Sequence, residues 1–240
     1  MRLAFASSTL STVPIVGHDE RFPVHRIYCV ARNHADHAQE MGHSGLEEPF
    51  YCMKPGDSEA VVVVEMGQTA SIRYPSLTQR LHHEVELVIA IGTKGQNIAE
   101  KEALRHVFGY AVGLDMTRQD LLNEMMRQGR PWCIGKSFDQ AAVIGPICPA
   151  ERVPNIEQAD IFLQVNGVER QRSNVSRLIW NIAKTISEIS RASTLYPGDL
   201  IYTGTPRGVG PVVPGDSLDC GVTGLESLCV HVLEGAGASV

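Results

Sequence analysis

Residues 84–91 read Glu-Val-Glu-Leu-Val-Ile-Ala-Ile, two carboxylates leading into an unbroken, mostly β-branched apolar run. That composition suits a buried strand. In an extended chain residues two apart project from the same side, so Glu84 and Glu86 converge on one face. A second apolar run, residues 110–114, ends in Asp115. Three carboxylates drawn together repel one another unless a proton or a cation intervenes. Oxygen-only ligation by few protein groups favours a hard divalent ion, Mg²⁺ or Mn²⁺, over zinc, and leaves coordination positions for water and substrate. Taken alone, Glu-Val-Glu is better read as an exposed antiparallel strand with its polar side in water. Asp115 and the motifs below weigh towards the metal.

With 240 residues, 43% of them apolar, the chain can bury a sizeable core. It shows neither an internal repeat nor a low-complexity linker. One domain over residues 24–240 is expected, preceded by residues 1–23 as an irregular arm or edge strand. The net charge of −6 leaves no basic surplus for a nucleic-acid backbone. No apolar run approaches the roughly 20 residues that span a bilayer. The apolar stretch in residues 1–8 is short, interrupted by serine and followed by no clear cleavage site, which argues against a secretory leader. Six cysteines without Cys-x-x-Cys spacing read as reduced thiols in a soluble cytoplasmic protein.

Strands are expected at 27–31, 50–55, 60–64, 84–91, 110–114, 143–147, 161–165, 200–202 and 227–233. Helices are expected at 35–41, capped by Asn33 and ended by Gly42 and Gly45; at 99–108, with Leu104 and Phe108 on one face; and at 118–128 and 179–190. Asn166-Gly167 is a strong hairpin signal. Mixed strands with scattered helices argue for the α+β class.

If 35–41 is helical, His37 and Glu40 are neighbours at i,i+3, and the carboxylate can orient the imidazole. Imidazole suits general-base work near neutral pH, and a carboxylate would stabilise the imidazolium formed. A polar surface helix would carry the same pair. His34, His82 and His83 read as structural or supporting groups. Lys136 is expected as a partly buried ammonium near an anionic substrate. The glycines of 203–210, Thr-Gly-Thr-Pro-Arg-Gly-Val-Gly, would let backbone N–H groups face a carboxylate or oxyanion. That loop lacks the Lys-Ser or Lys-Thr ending of a nucleotide-binding P-loop.

Together Arg32-Asn33-His34-Ala35-Asp36-His37, Met53-Lys54-Pro55, His82-His83-Glu84-Val85-Glu86-Leu87, Gly113-Leu114-Asp115-Met116-Thr117, Gly135-Lys136-Ser137-Phe138, Val165-Asn166-Gly167 and Pro197-Gly198-Asp199-Leu200-Ile201-Tyr202-Thr203-Gly204-Thr205-Pro206 resemble the fumarylacetoacetate hydrolase family. The likeness runs from about residue 24 to 233 and is nearest to the bacterial fumarylpyruvate and acylpyruvate hydrolases. It implies a mixed β-roll with peripheral short helices, a homodimer, and Mg²⁺ or Mn²⁺ on Glu84, Glu86 and Asp115. It also implies that His37 and Glu40 activate water on a segment that closes over substrate, with Lys136 catalytic and Arg32, Gln119 and Thr205 contacting substrate. The implied activity is hydrolysis of a C–C bond in a 2,4-dioxo acid. Water adds to the 4-carbonyl, the C3–C4 bond breaks, and the ion and Lys136 stabilise the departing pyruvate enolate.

This chain departs from the family pattern at two places. Gln119 stands where the family usually has arginine, and Leu122 where it has glutamine. Arg118 points about 100° away on a helix and is not expected to replace the lost cation. A distal pocket of reduced polarity would disfavour a distal carboxylate and favour a neutral acylpyruvate. The alternatives are an oxaloacetate decarboxylase or 2-oxo-acid isomerase on the same metal, or a relative that binds oxo acids without turnover.

Overall fold

The computed structural model describes residues 10–40, 42 and 47–235. Residues 1–8, and Met41 and Gly45 at the end of the first expected helix, lie outside them. At the centre is the antiparallel pair Val85–Ile91 and Val107–Asp115. Every residue of the first strand is buried, and its period of two divides the side chains between two cores. Val85, Leu87, Ile89 and Ile91 join Tyr110, Val112 and Leu114 in one cluster. Val88, Ala90 and Ala111 belong to the other. Burial on both faces accounts for the unbroken apolar run. Glu86 lies opposite Gly113 in the ladder, and Asp115 N–H donates to the Glu84 carbonyl at 2.9 Å. By alternation the three carboxylates therefore sit at the end of the Val88 face.

Among the described residues the main sheet runs in the order Phe50–Lys54, Ile27–Ala31, Leu200–Tyr202, Val85–Ile91, Val107–Asp115, Ala142–Ile144 and Val61–Val63, with Cys148–Pro149 against Val107–Asp115. A second sheet has the order Val168–Asn174, Asp160–Val165, Ser217–Val222, Leu228–Leu233 and Thr69–Arg73. A third joins Thr117–Arg118, Leu81–His83 and Gly210–Val212. Parallel and antiparallel pairs mix, and the helices are short. This is the expected mixed β-roll of the α+β class. Among the described residues no helix is long and apolar enough to cross a membrane.

Several local expectations are corrected. The strand expected over 84–91 begins at Val85, because Leu81–His83 pairs in the third sheet and Glu84 occupies the crossing between sheets. Of the two readings for the N-terminal residues, residues 12–23 follow the strand and not the irregular arm: Thr12–Pro14 pairs with Arg21–Pro23 and buries Val13 and Phe22. Residues 100–106 form a 3₁₀ helix, whose tighter turn buries Ala103 and leaves Leu104 50% exposed. The helix expected at 179–190 is Ile182–Ala192, with the Asn181 side chain accepting from Lys184 N–H at 2.8 Å. Its Ile182, Ile186 and Ile189 enter the core, each contributing about 1.5–3 kcal/mol of burial. Asn166 and Gly167, at φ 52° and 75°, make the expected turn. The strand after it, Val168–Asn174, is mostly polar and gave no apolar signal.

Asn33 does not cap the helix Ala35–Glu40. Buried, it donates to the carbonyls of Trp180 (3.0 Å) and Thr203 (2.7 Å) and accepts from Trp180 N–H (2.6 Å). It thus ties the segment bearing His37 to the loop bearing Thr205.

Candidate active site

A cavity of about 380 Å³ is lined by Arg32, His37, Glu40, Glu84, Glu86, Asp115, Gln119, Lys136 and Thr205, so all the site residues proposed from sequence meet there. Glu84, Glu86 and Asp115 are buried, and each offers an oxygen within 4.8 Å of the others. Two ammonium groups answer them. Lys136 Nζ donates to Glu84 Oε2 at 2.9 Å, Asp115 Oδ2 at 2.8 Å and Thr117 Oγ1 at 2.8 Å. Lys54 Nζ gives its protons to the carbonyls of Met116 (3.0 Å), Ala141 (3.0 Å) and Lys136. Its approach to Asp115 Oδ1 at 2.8 Å is therefore an ion pair without a hydrogen bond, and that buried oxygen accepts none.

Three carboxylates against two ammoniums leave one negative charge uncompensated. It falls on Glu86, whose carboxyl is pushed well above the usual range by burial, then by Asp115 and Glu84, against the Gly204 N–H and Lys136. Burial would raise Asp115 too, but Lys136 and Lys54 outweigh it and hold that carboxyl down. For Lys136 burial opposes the charge, yet Asp115 and Glu84 keep its ammonium well above the ordinary lysine value. A carboxylate oxygen that accepts no hydrogen bond, an excess negative charge and an all-oxygen donor set fit a hard divalent cation. Lys136 is more deeply buried than expected, only 5% exposed, and it belongs to the carboxylate cluster as well as to the cavity.

The segment above the cluster is tied by its own carboxylate. His37 Nδ1 lies 3.2 Å from Glu40 Oε2, and Gly208 N–H donates to Glu40 Oε2 at 3.1 Å. Gly204 N–H donates to Glu86 Oε2 at 2.6 Å. The glycine N–H groups of this loop thus face carboxylates, those of the protein itself. Both glycines are required: Gly204 has φ +106° and Gly208 +91°, and a Cβ on Gly208 would lie 2.0 Å from the Arg170 carbonyl oxygen. Thr205 donates its hydroxyl proton to the Val85 carbonyl at 2.9 Å and accepts from Gln171 Nε2 at 2.8 Å. Arg32, at φ 58°, lays its guanidinium over Phe50 and Trp132 at 5.7 and 5.9 Å. Gln119 Nε2 donates to Asn123 Oδ1 at 2.8 Å, and Leu122 adds an apolar wall. Arg118 stacks on Phe138 at 4.3 Å, consistent with its exclusion as a substitute cation.

Sequence reasoning gave no role to Lys54, Thr117, Gln171 or Arg80. Lys54 and Thr117 stood within the quoted motifs. Gln171 sits on a polar strand with no local signal, yet its amide also meets His83 Nδ1 (2.9 Å), Val85 N–H (3.2 Å) and the Pro206 carbonyl (2.8 Å).

Two buried histidines make stability depend on pH. Burial holds His34 down to about 4, and burial followed by Arg80 does the same to His82. Both folded values lie below the ordinary 6.5 or so, so the unfolded chain takes up these protons first as pH falls. Their contribution is present above about pH 6.5 and is lost towards pH 4. Glu86 acts in the opposite sense while it can protonate, so the comparison belongs at saturating Mg²⁺. The urea midpoint there is expected to fall between pH 7 and pH 5, and a flat profile would contradict the burial of these rings.

The comparisons with known proteins agree with this geometry. The fumarylacetoacetate (FAA) hydrolase C-terminal family matches residues 26–233. A fumarylpyruvate hydrolase of Ralstonia sp is 43% identical over 187 residues, 78% of this chain and 94% of the relative. The mitochondrial oxaloacetate tautomerase FAHD1 of Mus musculus is 39% identical over 202 residues, covering 84% and 89% of the two chains. The crystal structure of fumarylpyruvate hydrolase from Pseudomonas aeruginosa in complex with Mn²⁺ and pyruvate superimposes with a TM-score of 0.94 at 49% identity, covering 97% of this chain and all of that one. The β-roll, the buried carboxylate cluster lining its cavity and these matches across most of the chain agree, and the chain belongs to the fumarylacetoacetate hydrolase family.

Proposed function

We propose that this protein is a metal-dependent hydrolase that cleaves the C3–C4 bond of a 2,4-dioxo acid, fumarylpyruvate or another acylpyruvate. The products are pyruvate and a carboxylic acid, in the catabolism of aromatic compounds. The observation that carries this reading is the meeting of the buried carboxylate cluster, Lys136 and the His37–Glu40 pair in one cavity. A divalent ion, Mg²⁺ or Mn²⁺, held by Glu84, Glu86 and Asp115 would supply Lewis-acid polarisation of a chelating oxo acid. His37 accepts a proton from the water that adds to the 4-carbonyl, and Glu40 holds the ring and stabilises the imidazolium. The C3–C4 bond breaks, its electron pair passes into the pyruvate enolate, and the Lys136 ammonium stabilises the developing charge. The proton held on His37 can then return to C3. Arg32, Gln119 and Thr205 position the substrate.

In this reading the catalytic unit is residues 24–240, preceded by the N-terminal residues 1–23, and the protein works as a homodimer in the cytoplasm. Six thiols, none in a disulfide, support a reducing compartment. The net charge of −6 supports a small-molecule substrate rather than nucleic acid. A second reading rests on relatives: besides the tautomerase, an oxaloacetate decarboxylase of Dictyostelium discoideum is 38% identical over 202 residues. Enolate stabilisation alone would serve either reaction.

The test follows the enol absorbance of acylpyruvates and of oxaloacetate, with pyruvate measured enzymatically, in Mg²⁺ and in chelator. Pyruvate release from an acylpyruvate is expected only with the ion, and Glu84→Ala is expected to lower it at least about a hundredfold. Turnover of oxaloacetate alone would favour the second reading. Binding of oxo acids without any turnover would mark a non-catalytic relative.

A further inference from the structure

Arg80 and His82 precede Glu84 at intervals of two, and all three line the cavity. On a strand such residues share a face, here in Leu81–His83 and its flanks. His83, on the other side, is engaged by Gln171. His82 is 7% exposed, and neither ring nitrogen has a hydrogen-bond partner. A buried polar group left unpaired is costly, and in a cavity wall it points to a ligand that completes it. Arg80 is exposed at the same wall, and no carboxylate among the described residues forms an ion pair with it. Its backbone is fixed: Gln119 N–H donates to the Arg80 carbonyl at 2.9 Å. Asp120 accepts from Gln79 N–H at 3.0 Å and from the Thr78 hydroxyl. Arg80 therefore stands beside Gln119, the position where the arginine usual in the family is missing.

We propose that Arg80, with the His82 ring and the Gln119 amide, forms a subsite for a second carboxylate at the distal end of the substrate. A divalent ion on the carboxylate cluster would take the oxo-acid end. At about 3.3 Å per residue, His82 lies about 7 Å further along the strand than Glu84, and the Arg80 side chain can reach back over that span. Leu122 and Met126 line the cavity for the carbon chain between the two ends. The cation missing at Gln119 is thus supplied from the adjacent strand. This reverses the expectation that a neutral acylpyruvate is preferred. The inference rests on the oxo-acid reading above and assigns recognition of a terminal carboxylate to Arg80 and His82.

The test uses two uncleavable probes of equal length, 2-oxoheptanedioate and 2-oxoheptanoate, titrated calorimetrically into the Mg²⁺-loaded protein. The wild type is expected to bind the diacid about tenfold to a hundredfold more tightly, the range of a charge-assisted hydrogen bond. In Arg80→Ala that ratio should fall to near one, and Arg80→Lys should retain part of it. A wild-type ratio near one, or a ratio that Arg80→Ala leaves intact, would overturn the subsite. Pyruvate release from fumarylpyruvate is measured alongside. A diacid preference that depends on Arg80, without cleavage of any dioxo acid, would keep the subsite and sink the hydrolase. Cleavage with a KM indifferent to Arg80→Ala would do the reverse.

Discussion

Lys136→Met is expected to lower pyruvate release by about 10²–10³-fold, the loss typical of removing preorganised electrostatic stabilisation of a developing oxyanion. The same change should destabilise the metal-free protein by about 3–5 kcal/mol, because it removes one partner of a buried ionic cluster. The reason lies in the charge count. Lys136 touches Glu84 and Asp115, and without it Lys54 alone faces three buried carboxylates. Methionine keeps much of the side-chain volume, so the loss reflects charge rather than a cavity. A divalent cation returns positive charge to the same place, so saturating Mg²⁺ should recover much of the stability and little of the activity. Urea midpoints with Mg²⁺ and with chelator separate the two effects. Equal midpoints for wild type and variant in chelator would show that Lys136 is not the main counter-charge of the cluster.

His37→Ala should lower the kcat for acylpyruvate hydrolysis by about 10²–10⁴-fold, the usual range for a lost general base. Decarboxylation of oxaloacetate needs no water nucleophile and should fall less. His37 meets Glu40, and Glu40 in turn meets Gly208 N–H. The carboxylate therefore anchors this segment to the 203–210 loop even when the imidazole is gone. Kinetics on the two substrates side by side give the answer. Equal losses on both would mean that His37 serves closure or enolate chemistry rather than activation of water.

The carboxylate cluster was legible because charge is rare in a strand buried on both faces, and period-two geometry says which charges meet. Asn166-Gly167 was legible because few residue pairs adopt two successive positive φ angles. What escaped is long-range. Asn33 has the sequence look of a helix cap, and only its contacts with Trp180 and Thr203 show it as a buried cross-link. The break at Glu84 follows from Leu81–His83 pairing with strands distant in sequence. Lys54 lies within a motif, but its contact with Asp115 joins the edge strand Phe50–Lys54 to Val107–Asp115, with three strands of the main sheet between them. Arg80 shows the same limit: the arginine expected at 119 is absent, and another, distant from 119 in sequence, lines the same cavity.

The central claim is that water activated in this cavity cleaves a dioxo acid beside the carboxylate cluster. Turnover of fumarylpyruvate in H₂¹⁸O with Mg²⁺, read by mass spectrometry of the products, tests it most directly. The account predicts pyruvate and fumarate in equal amounts, with one ¹⁸O atom in the carboxylate of fumarate newly formed at C4. Consumption of the enol form without fumarate, or fumarate free of label, would contradict it.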